Sequence, residues 1–523
     1  MVVGSELRCL SFVKCGVCDD KIRFVKRLAR EVLSNFVLCL INMYMTRKSA
    51  SKETMNILIN NAKSAILDSE HILKNTELIK SRLSTFDGAT YLKLLFELLS
   101  GSLSAVYEVC SDMKNMLSTD NVYVKRFHMQ MINLSQYEWC KYLAGRDQGG
   151  VIPKLINHLY ELHKETKELE SILQQLRLLG KKCDAELRNI TAHYDNPNTM
   201  YSKLVTLNDE DVYAKRFGDQ LLVHDMILQY VSPVLQTITE TLCTDNKECT
   251  YTRSVDEFTF IDIVNEKVAE AFHNKEKLDV VIAEQIANAW ENIESHKKNY
   301  TICEKAIEFF TDKQADCTRF SEIRVLEELR WEVSFMQYDL VCSMNTYLKA
   351  DSNAERSISF MRAYRIETSA LSHLYGYNDE YREKSIWRKI RTVPEFKSIP
   401  LSKEIEDELI ALTSNFEPSK RNLYTHYRED TKLNISERWQ CANEMNHPEE
   451  LMQMLRLVTL CKKINQFLVS LVSSMHLSEK QKNDEMLSPI RKIKELAQKN
   501  NQQDIVAISD KFLSIFSLFD KKL

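Results

Sequence analysis

The sequence predicts an all-α protein built from two helical-bundle halves. Glycine occurs 10 times and proline 8 times in 523 residues, far below ordinary usage. A sheet-rich chain needs many glycine, proline and Asn-Gly turns, whereas long helices contain few such breakers. Apolar residues also recur at three- and four-residue intervals along most of the chain, which is the period of an amphipathic helix. Because a chain of this length buries more than one core, we expect two domains.

The apolar periodicity predicts helices in order along the chain. They cover residues 22–45, 91–116, 152–179, 212–231, 258–272, 278–310, 323–348, 402–413 and 451–475. The segment 122–127 is β-branched and aromatic, but a helical pattern follows it. Gly180 resembles the C-terminal cap of the helix at 152–179. No convincing strand is predicted.

A polar break near residue 245 divides the chain into the two predicted halves. Residues 1–248 form the N-terminal half, with its core at 121–245, and residues 249–523 form the C-terminal half, with its core at 320–480. The two halves share an order of elements, so we expect them to pack in a pseudo-two-fold arrangement.

Composition limits the class of protein. The hydrophobic fraction of 44% and the charged fraction of 28% are those of a globular chain. The net charge of −4 argues against a generally basic nucleic-acid coat, so any RNA-binding charge must be local. The 14 cysteines follow no disulfide framework and no signal peptide is recognisable, which predicts a cytoplasmic protein with free thiols. The apolar run at 32–45 is too short to span a bilayer, and no membrane association is predicted.

One motif occurs twice with identical spacing: arginine, asparagine and then a histidine–tyrosine pair. The first copy contains Arg188, Asn189, His193 and Tyr194, and the second contains Arg421, Asn422, His426 and Tyr427. Arginine binds phosphate and histidine transfers protons near neutral pH, so the motif indicates a site that cleaves or holds a phosphodiester. For one isolated copy, a solvated helix face or a packed histidine is the simpler interpretation. The matched duplication favours the functional one.

Both copies are expected near the start of a short helix. Asp184 is a plausible N-cap for the helix that carries Arg188, and Pro418 suits the first position of the helix that carries Arg421. The free amides and the dipole at a helix N-terminus favour an anion such as phosphate. The sequence therefore predicts two phosphate-binding half-sites, one in each half.

The Arg-Asn-x-x-x-His pattern on an all-helical chain resembles the HEPN superfamily of nucleotide-binding domains, and the stretch 188–195 is especially similar to bacterial members. The resemblance covers the two motifs and their flanking helices. It implies a metal-independent endoribonuclease of bacterial stress response or antiphage defence, as in toxin–antitoxin systems, with no cofactor. In this superfamily two units pair about a two-fold axis and bring their motifs into one cleft. The tandem here resembles the single-chain members.

RNA cleavage without metal requires a base for the 2′-hydroxyl, an acid for the 5′-oxygen and a positive clamp on the phosphorane. The predicted catalytic residues are two histidines as acid and base and two arginines as the clamp: His193, His426, Arg188 and Arg421. The predicted supporting residues are Asn189, Asn422, Tyr194 and Tyr427. The asparagines would orient the imidazoles or the helix ends. The tyrosines either stack on bases or pack inside their halves.

A separate basic segment surrounds a tryptophan and is a candidate RNA track. Its residues are Arg382, Lys384, Trp387, Arg388, Lys389 and Arg391. A solvated helix face with Trp387 in the core explains the same pattern equally well.

Three functions stay open at this point. The first is a tandem ribonuclease, with RNA as substrate and an inhibitory protein as a further partner. The second is a non-catalytic HEPN-like protein that binds RNA or nucleotide or masks a toxin, and the third is a scaffold without a site. The paired motifs favour the first and the acidic net charge favours the second. The chain contains no Walker loop, dinucleotide fingerprint, His-Glu-x-x-His motif or serine elbow, and no metal site is predicted.

Overall fold

The computed structural model describes residues 90–145, 149–194, 196–242, 278–312, 317–350, 353–414, 447–500, 502–503, 505–507 and 509–510. Every regular element in these ranges is helical, so the all-α prediction is confirmed. The N-terminal helices are α1 (Thr90–Leu117), α2 (Val122–Ala144), α3 (Val151–Glu161), α4 (Lys167–Lys182), α5 (Ala185–His193), α6 (Pro197–Thr206) and α7 (Glu210–Leu242). The C-terminal helices are α8 (Leu278–Asp312), α9 (Thr318–Leu348), α10 (Asn353–Leu374), α11 (Asp379–Lys384), α12 (Ile386–Arg391), α13 (Leu401–Ser414) and α14 (His447–Lys499). The predicted helices at 22–45 and 258–272, and Pro418, lie outside the described residues.

Local capping explains where several helices begin. The Asn121 side chain accepts hydrogen bonds from the backbone amides of Tyr123 (2.9 Å) and Val124 (3.3 Å), so the β-branched segment at 122–127 starts a helix. The Asn196 side chain likewise accepts from the Thr199 amide at 2.9 Å, with Pro197 as the first residue of α6. Side chains that satisfy free amides thus outweigh the weak strand propensity of the residues that follow them.

The prediction of one helix at 152–179 is wrong, because the segment forms the two helices α3 and α4. The chain turns between them, with His163 in the left-handed region at φ 53°. The prediction of Gly180 as a cap is also wrong, since α4 continues to Lys182. A Cβ atom at Gly180 would lie 3.3 Å from the Cβ atom of Cys140 on α2. The glycine therefore permits a close approach of α4 to α2 rather than ending the helix.

The described helices enclose two hydrophobic cores. The N-terminal core lies between α1, α2, α3, α4 and α7, and it includes Leu99, Trp139, Ile152, Leu176 and Ile227. The larger central core includes Met113, Phe127, Ile190, Trp331, Phe360 and Leu468. Because the central core takes residues from both predicted halves, α1, α2, α5 and α6 pack against the C-terminal helices. The boundary near residue 248 lies outside the described residues, and the pseudo-two-fold relation stays a prediction.

Buried ion pairs also join α1 to α10. The Lys114 ammonium donates to a Glu355 carboxylate oxygen at 2.6 Å. Arg362 pairs with Asp112, whose Oδ1 atom also lies 3.0 Å from Nδ1 of His128. Removing one partner from a buried pair typically costs about 3–5 kcal/mol, because the other charge is left in a low-dielectric interior. These pairs fix the N-terminal helices on the C-terminal ones.

Among the described residues, α1 is the one helix that is long and apolar enough to cross a bilayer. The rest of the protein buries 89% of its most apolar window. Packing inside the protein therefore accounts for the apolar composition of α1.

Candidate functional site

The helix that carries the first motif, α5, begins as the sequence predicts. The Asp184 side chain accepts hydrogen bonds from the amides of Glu186 (3.0 Å) and Leu187 (2.9 Å). Asn133 on α2 holds the Asp184 backbone twice: its amide donates to the carbonyl at 2.8 Å, and its oxygen accepts from the amide at 2.9 Å. The start of α5 is therefore fixed to α2 by side chains rather than left free for a ligand.

Arg188 lies in the first part of α5 but its guanidinium is already paired. Its Nε donates to Glu138 Oε1 at 2.6 Å, and its Nη2 contacts the same oxygen. Its Nη1 donates to the side-chain oxygen of Asn189 at 3.0 Å. Arg188 is only 8% exposed, whereas Asn189 is exposed. The Glu138 carboxylate thus occupies the edge of the guanidinium that a phosphate would use.

His193 is the last residue of α5, and its side chain lies outside the described part of the structure. Tyr194 follows in the left-handed conformation at φ 56° and is only 1% exposed. Its hydroxyl donates to Asp339 Oδ2 on α9 at 2.9 Å. Of the two predicted roles, Tyr194 therefore has the packing role and does not stack on a base. Its ring is enclosed in the central core, and its hydroxyl already donates to Asp339.

Asp339 is a buried carboxylic acid that sequence reasoning did not identify. Burial raises its pKa to about 7, although the hydrogen bond from Tyr194 and the charge of Arg365 act in the opposite direction. Gln130 on α2 also hydrogen-bonds Asp339, and its amide donates to the hydroxyl of Thr191 on α5 at 3.1 Å. The helix of the first motif is therefore held between α2 and the C-terminal helices α9 and α10. An aspartate between Tyr338 and Leu340 is unusual in a buried helix, but nothing in the sequence indicates Tyr194 as its partner.

The second motif lies outside the described residues. The motif residues Arg421, Asn422, His426 and Tyr427 all fall outside the described ranges. Before this motif, α13 is described as far as Ser414. The surroundings can therefore be described for the first motif, apart from the side chain of His193.

The basic segment forms two short helices, α11 and α12, separated at Ser385. Trp387 is only 2% exposed, and its ring centroid lies 5.4 Å from that of Phe396 and 5.8 Å from that of Phe467. Its assignment as an RNA-binding residue is corrected, because an enclosed ring cannot stack on a base. The neighbouring apolar residues Ile386 and Ile390 are buried with it.

The cations of this segment are exposed. Several of them contact acidic or aromatic side chains: Lys384 with Glu380 (3.0 Å), Arg388 with Glu383 (3.4 Å), Arg391 with Glu406 (2.8 Å) and Arg382 with the Tyr375 ring (5.9 Å). Exposed pairs of this kind contribute about 0–1 kcal/mol, so a polyanion can displace them. The cations stay candidates for an RNA track, together with Lys389.

A metal-ligand group of three or more histidine, cysteine, aspartate or glutamate side chains does not occur among the described residues. No known protein family, curated protein or solved structure matches this chain. The resemblance to the HEPN superfamily therefore rests on the two motifs and stays a prediction.

Proposed function

We propose that the protein is a metal-independent endoribonuclease whose site combines Arg188 and His193 with Arg421 and His426. One observation carries the proposal: the Tyr194 hydroxyl, next to His193, donates to Asp339 on α9 at 2.9 Å. A site assembled from two motifs requires the helix of the first motif to lie on the half that carries the second. The contacts of α5 with α10 support the same geometry.

The position of His193 at the end of α5 suggests its role. His193 ends α5, where the helix dipole favours a protonated imidazole. It is therefore the general acid that protonates the 5′-oxygen leaving group, and His426 is the base that takes the 2′-hydroxyl proton. The expected products are a 2′,3′-cyclic phosphate and a 5′-hydroxyl. Such acid–base catalysis contributes about two to four powers of ten in rate.

The two arginines then have unequal roles. Glu138 takes the Nε and Nη2 edge of Arg188, so only the Nη1 side, which donates to Asn189, is left to face a phosphate. In this proposal Arg188 mainly holds α5 in position, and Arg421 is the principal clamp on the non-bridging oxygens.

The same ion pair favours a second candidate function, a non-catalytic protein that binds RNA or nucleotide or masks a toxin. A guanidinium neutralised by a buried carboxylate contributes little to the charge of a cleavage site. The net charge of −4 agrees with this alternative. Binding of RNA without cleavage is the result that distinguishes it.

The test is incubation with total RNA in EDTA, comparing the parent with the double variant His193→Ala, His426→Ala. We expect the double variant to cleave at least about 100-fold more slowly, because both proton-transfer groups are lost. His158→Ala is the matched control, since His158 lies outside both motifs and is partly exposed. Cleavage at the parent rate by the double variant contradicts the proposal. RNA retention without cleavage by the parent supports the alternative.

A further inference from the structure

Two cysteines lie close together at the end of α4, two residues before α5 begins. Cys140 is on α2, Cys183 directly follows α4, and they are 5% and 7% exposed. The Cys183 thiol donates to the Leu179 carbonyl at 3.6 Å, and the Cys140 thiol lies close enough to lower the pKa of Cys183 by donating to its sulfur. The absence of a side chain at Gly180 allows α4 to approach Cys140 closely here, since a Cβ atom would lie 3.9 Å from its sulfur.

A buried arginine stands next to this pair. Nη1 of Arg216 on α7 donates to Asn133 Oδ1 at 3.1 Å and to the carbonyl of Lys182 at 3.2 Å. Within the described part of the chain, its Nε and Nη2 atoms have no hydrogen-bond partner. The Cζ atom of Arg216 also lies 4.6 Å from the centroid of the Tyr213 ring. A guanidinium withdrawn from water is stabilised by a counter-charge, but the carboxylates of Asp184 and Asp219 pair with Lys203 and Lys182 instead. The Cys183 thiolate can supply that charge.

The two thiols differ in acidity in the way that a redox pair requires. The hydrogen bond from Cys140 and the charge of Arg216 lower the pKa of the Cys183 thiol against the effect of its burial. Burial raises the pKa of the Cys140 thiol. By contrast, burial raises the pKa of Cys461 to about 12. Thiolates rather than thiols are nucleophiles, so Cys183 is the reactive member of the pair.

We infer that Cys140 and Cys183 form a redox-active dithiol that a small peroxide converts into a disulfide. The Cys183 thiolate attacks one oxygen of hydrogen peroxide, the O–O bond breaks, and one water leaves after protonation, so that Cys183 becomes a sulfenic acid. The Cys140 thiol then attacks the Cys183 sulfur, the S–O bond breaks, and hydroxide leaves with the Cys140 proton as a second water. Two thiols lose two electrons in total, and the peroxide gains them.

The Cys140–Cys183 disulfide would link α2 to the start of α5, which already contact each other through polar side chains. Cys183 directly precedes Asp184, the cap of α5, and Asp184 is held by Asn133 on α2. Arg188 on α5 pairs with Glu138, which is also on α2. Oxidation therefore restrains the start of α5 on α2. This inference concerns the thiols alone and does not depend on the proposed ribonuclease activity.

The test treats the full-length parent protein with hydrogen peroxide, blocks the remaining thiols with N-ethylmaleimide and identifies disulfide-linked peptides by mass spectrometry. We expect the peptide that links Cys140 to Cys183 to be the dominant linked species among the described cysteines. The linked peptide should persist in the matched control Cys461→Ser. If that peptide is absent at doses that oxidise other cysteines of the chain, the inference is wrong.

Two variants test the direction of the reaction. In Cys140→Ser, the sulfenic acid at Cys183 has no resolving thiol, so dimedone should label Cys183. In Cys183→Ser, dimedone should leave Cys140 unlabelled, because no thiolate forms there. Equal labelling of the two sulfurs contradicts the assigned roles. The peptide mapping of the parent needs no variant, so it decides the inference even if a substitution prevents folding.

Hydrogen exchange of the oxidised parent tests the structural consequence. The amides of Glu186 and Leu187, which donate to the Asp184 cap, should exchange more slowly in the oxidised than in the reduced form. The difference should be lost in Cys183→Ser. Unchanged exchange in a sample that contains the linked peptide would overturn the predicted restraint on α5.

Discussion

The motif helix α5 with Tyr194 and the basic pair α11–α12 contain similar residue types, but only the basic pair exposes its arginines. Each combines an aromatic residue with cations, and the aromatic ring is buried in both, as Tyr194 and as Trp387. The cations differ: Arg188 is enclosed and held by Glu138, whereas the side chains of Arg388 and Arg391 are 56% and 49% exposed. The difference lies in the neighbouring helix, because only α5 has a buried acid facing its arginine.

Burial therefore decides whether a positive charge stabilises the fold or is available to a ligand. A buried guanidinium loses its hydration, and a carboxylate partner must offset that loss, so the pair becomes part of the fold. An exposed cation loses little hydration and exchanges one anionic partner for another at little cost. The motif pattern thus identifies cations near a helix start, but the tertiary partner decides whether they are available to RNA.

The largest expected effect is that of removing the aromatic residue of the basic segment. Trp387→Ala should lower the free energy of unfolding by about 4 kcal/mol, because the contacts with Phe396 and Phe467 are lost and a cavity stays behind. Urea unfolding followed by circular dichroism measures it. Arg388→Ala, one residue further on the exposed face, is the control and should change this free energy by less than about 0.5 kcal/mol. Similar values for the two variants would contradict a buried Trp387.

Arg188→Ala should come next, with a loss of about 3 kcal/mol of unfolding free energy, because Glu138 is left buried without its partner. Adding Glu138→Gln should restore part of that loss, since the unpaired charge is removed. The same urea titration measures both variants. If Arg188→Ala instead weakens RNA binding with unchanged stability, Arg188 belongs with the exposed cations and is a phosphate contact.

The sequence predicted the local features of α5 better than its surroundings. The cap at Asp184 follows from residue type and position, because a short polar side chain can reach the first amides of the helix. The partners of Arg188 and Tyr194 are 50 and 145 positions away along the chain. Apolar periodicity does not reveal which acid will face a given cation, so Glu138 and Asp339 could be found only in three dimensions.

The same limit explains the errors elsewhere. The period of apolar residues continues through the turn at His163, and it therefore merged α3 and α4 into one helix. The position of Gly180 predicts a helix cap, but the glycine instead permits the close contact of α4 with Cys140 on α2. The basic pattern leaves Trp387 either on an RNA track or in the core, and the burial of Ile386 and Ile390 with it decides for the core. For Gly180 and Trp387 a tertiary contact outweighed a local signal, whereas the break at His163 is made by local backbone hydrogen bonds.

A pH-dependent contribution to stability is expected around α5, from Asp339. Its folded pKa of about 7 exceeds the value of about 3.9 for a solvated aspartate, so the folded state binds more protons between these two values. The unfolding free energy of the parent should therefore fall by about 2.5 kcal/mol from this group between pH 5 and 8. Asp339→Asn should lack that decrease and should be the more stable protein at pH 8.

Urea titrations of both proteins at several pH values measure this difference directly. His224 contributes with the opposite sign, because burial lowers its pKa to about 4, so its stabilising effect is lost as pH falls from about 6.5. That contribution is the same in the parent and the variant and cancels in the comparison. Parallel pH curves for the two proteins would contradict a protonated Asp339 beside Tyr194.

The smallest effect on stability, and the clearest on RNA, is expected for the exposed cations of α12. Replacing Arg388, Lys389 and Arg391 together by alanine should change the unfolding free energy by less than about 1 kcal/mol, because their contacts are exposed. If they follow an RNA backbone, the slope of log K against log salt should decrease by about 0.7 for each lost phosphate contact, or about 2 in all.

Filter binding of single-stranded RNA at several salt concentrations measures that slope. The matched control removes the same charge from the exposed face of α4 by replacing Arg177, Lys181 and Lys182. If α12 forms an RNA track, its variant should lose the larger part of the slope, whereas the α4 variant should lose little. Equal losses would mean that RNA responds only to net charge, and α12 would then differ from α5 in exposure but not in function.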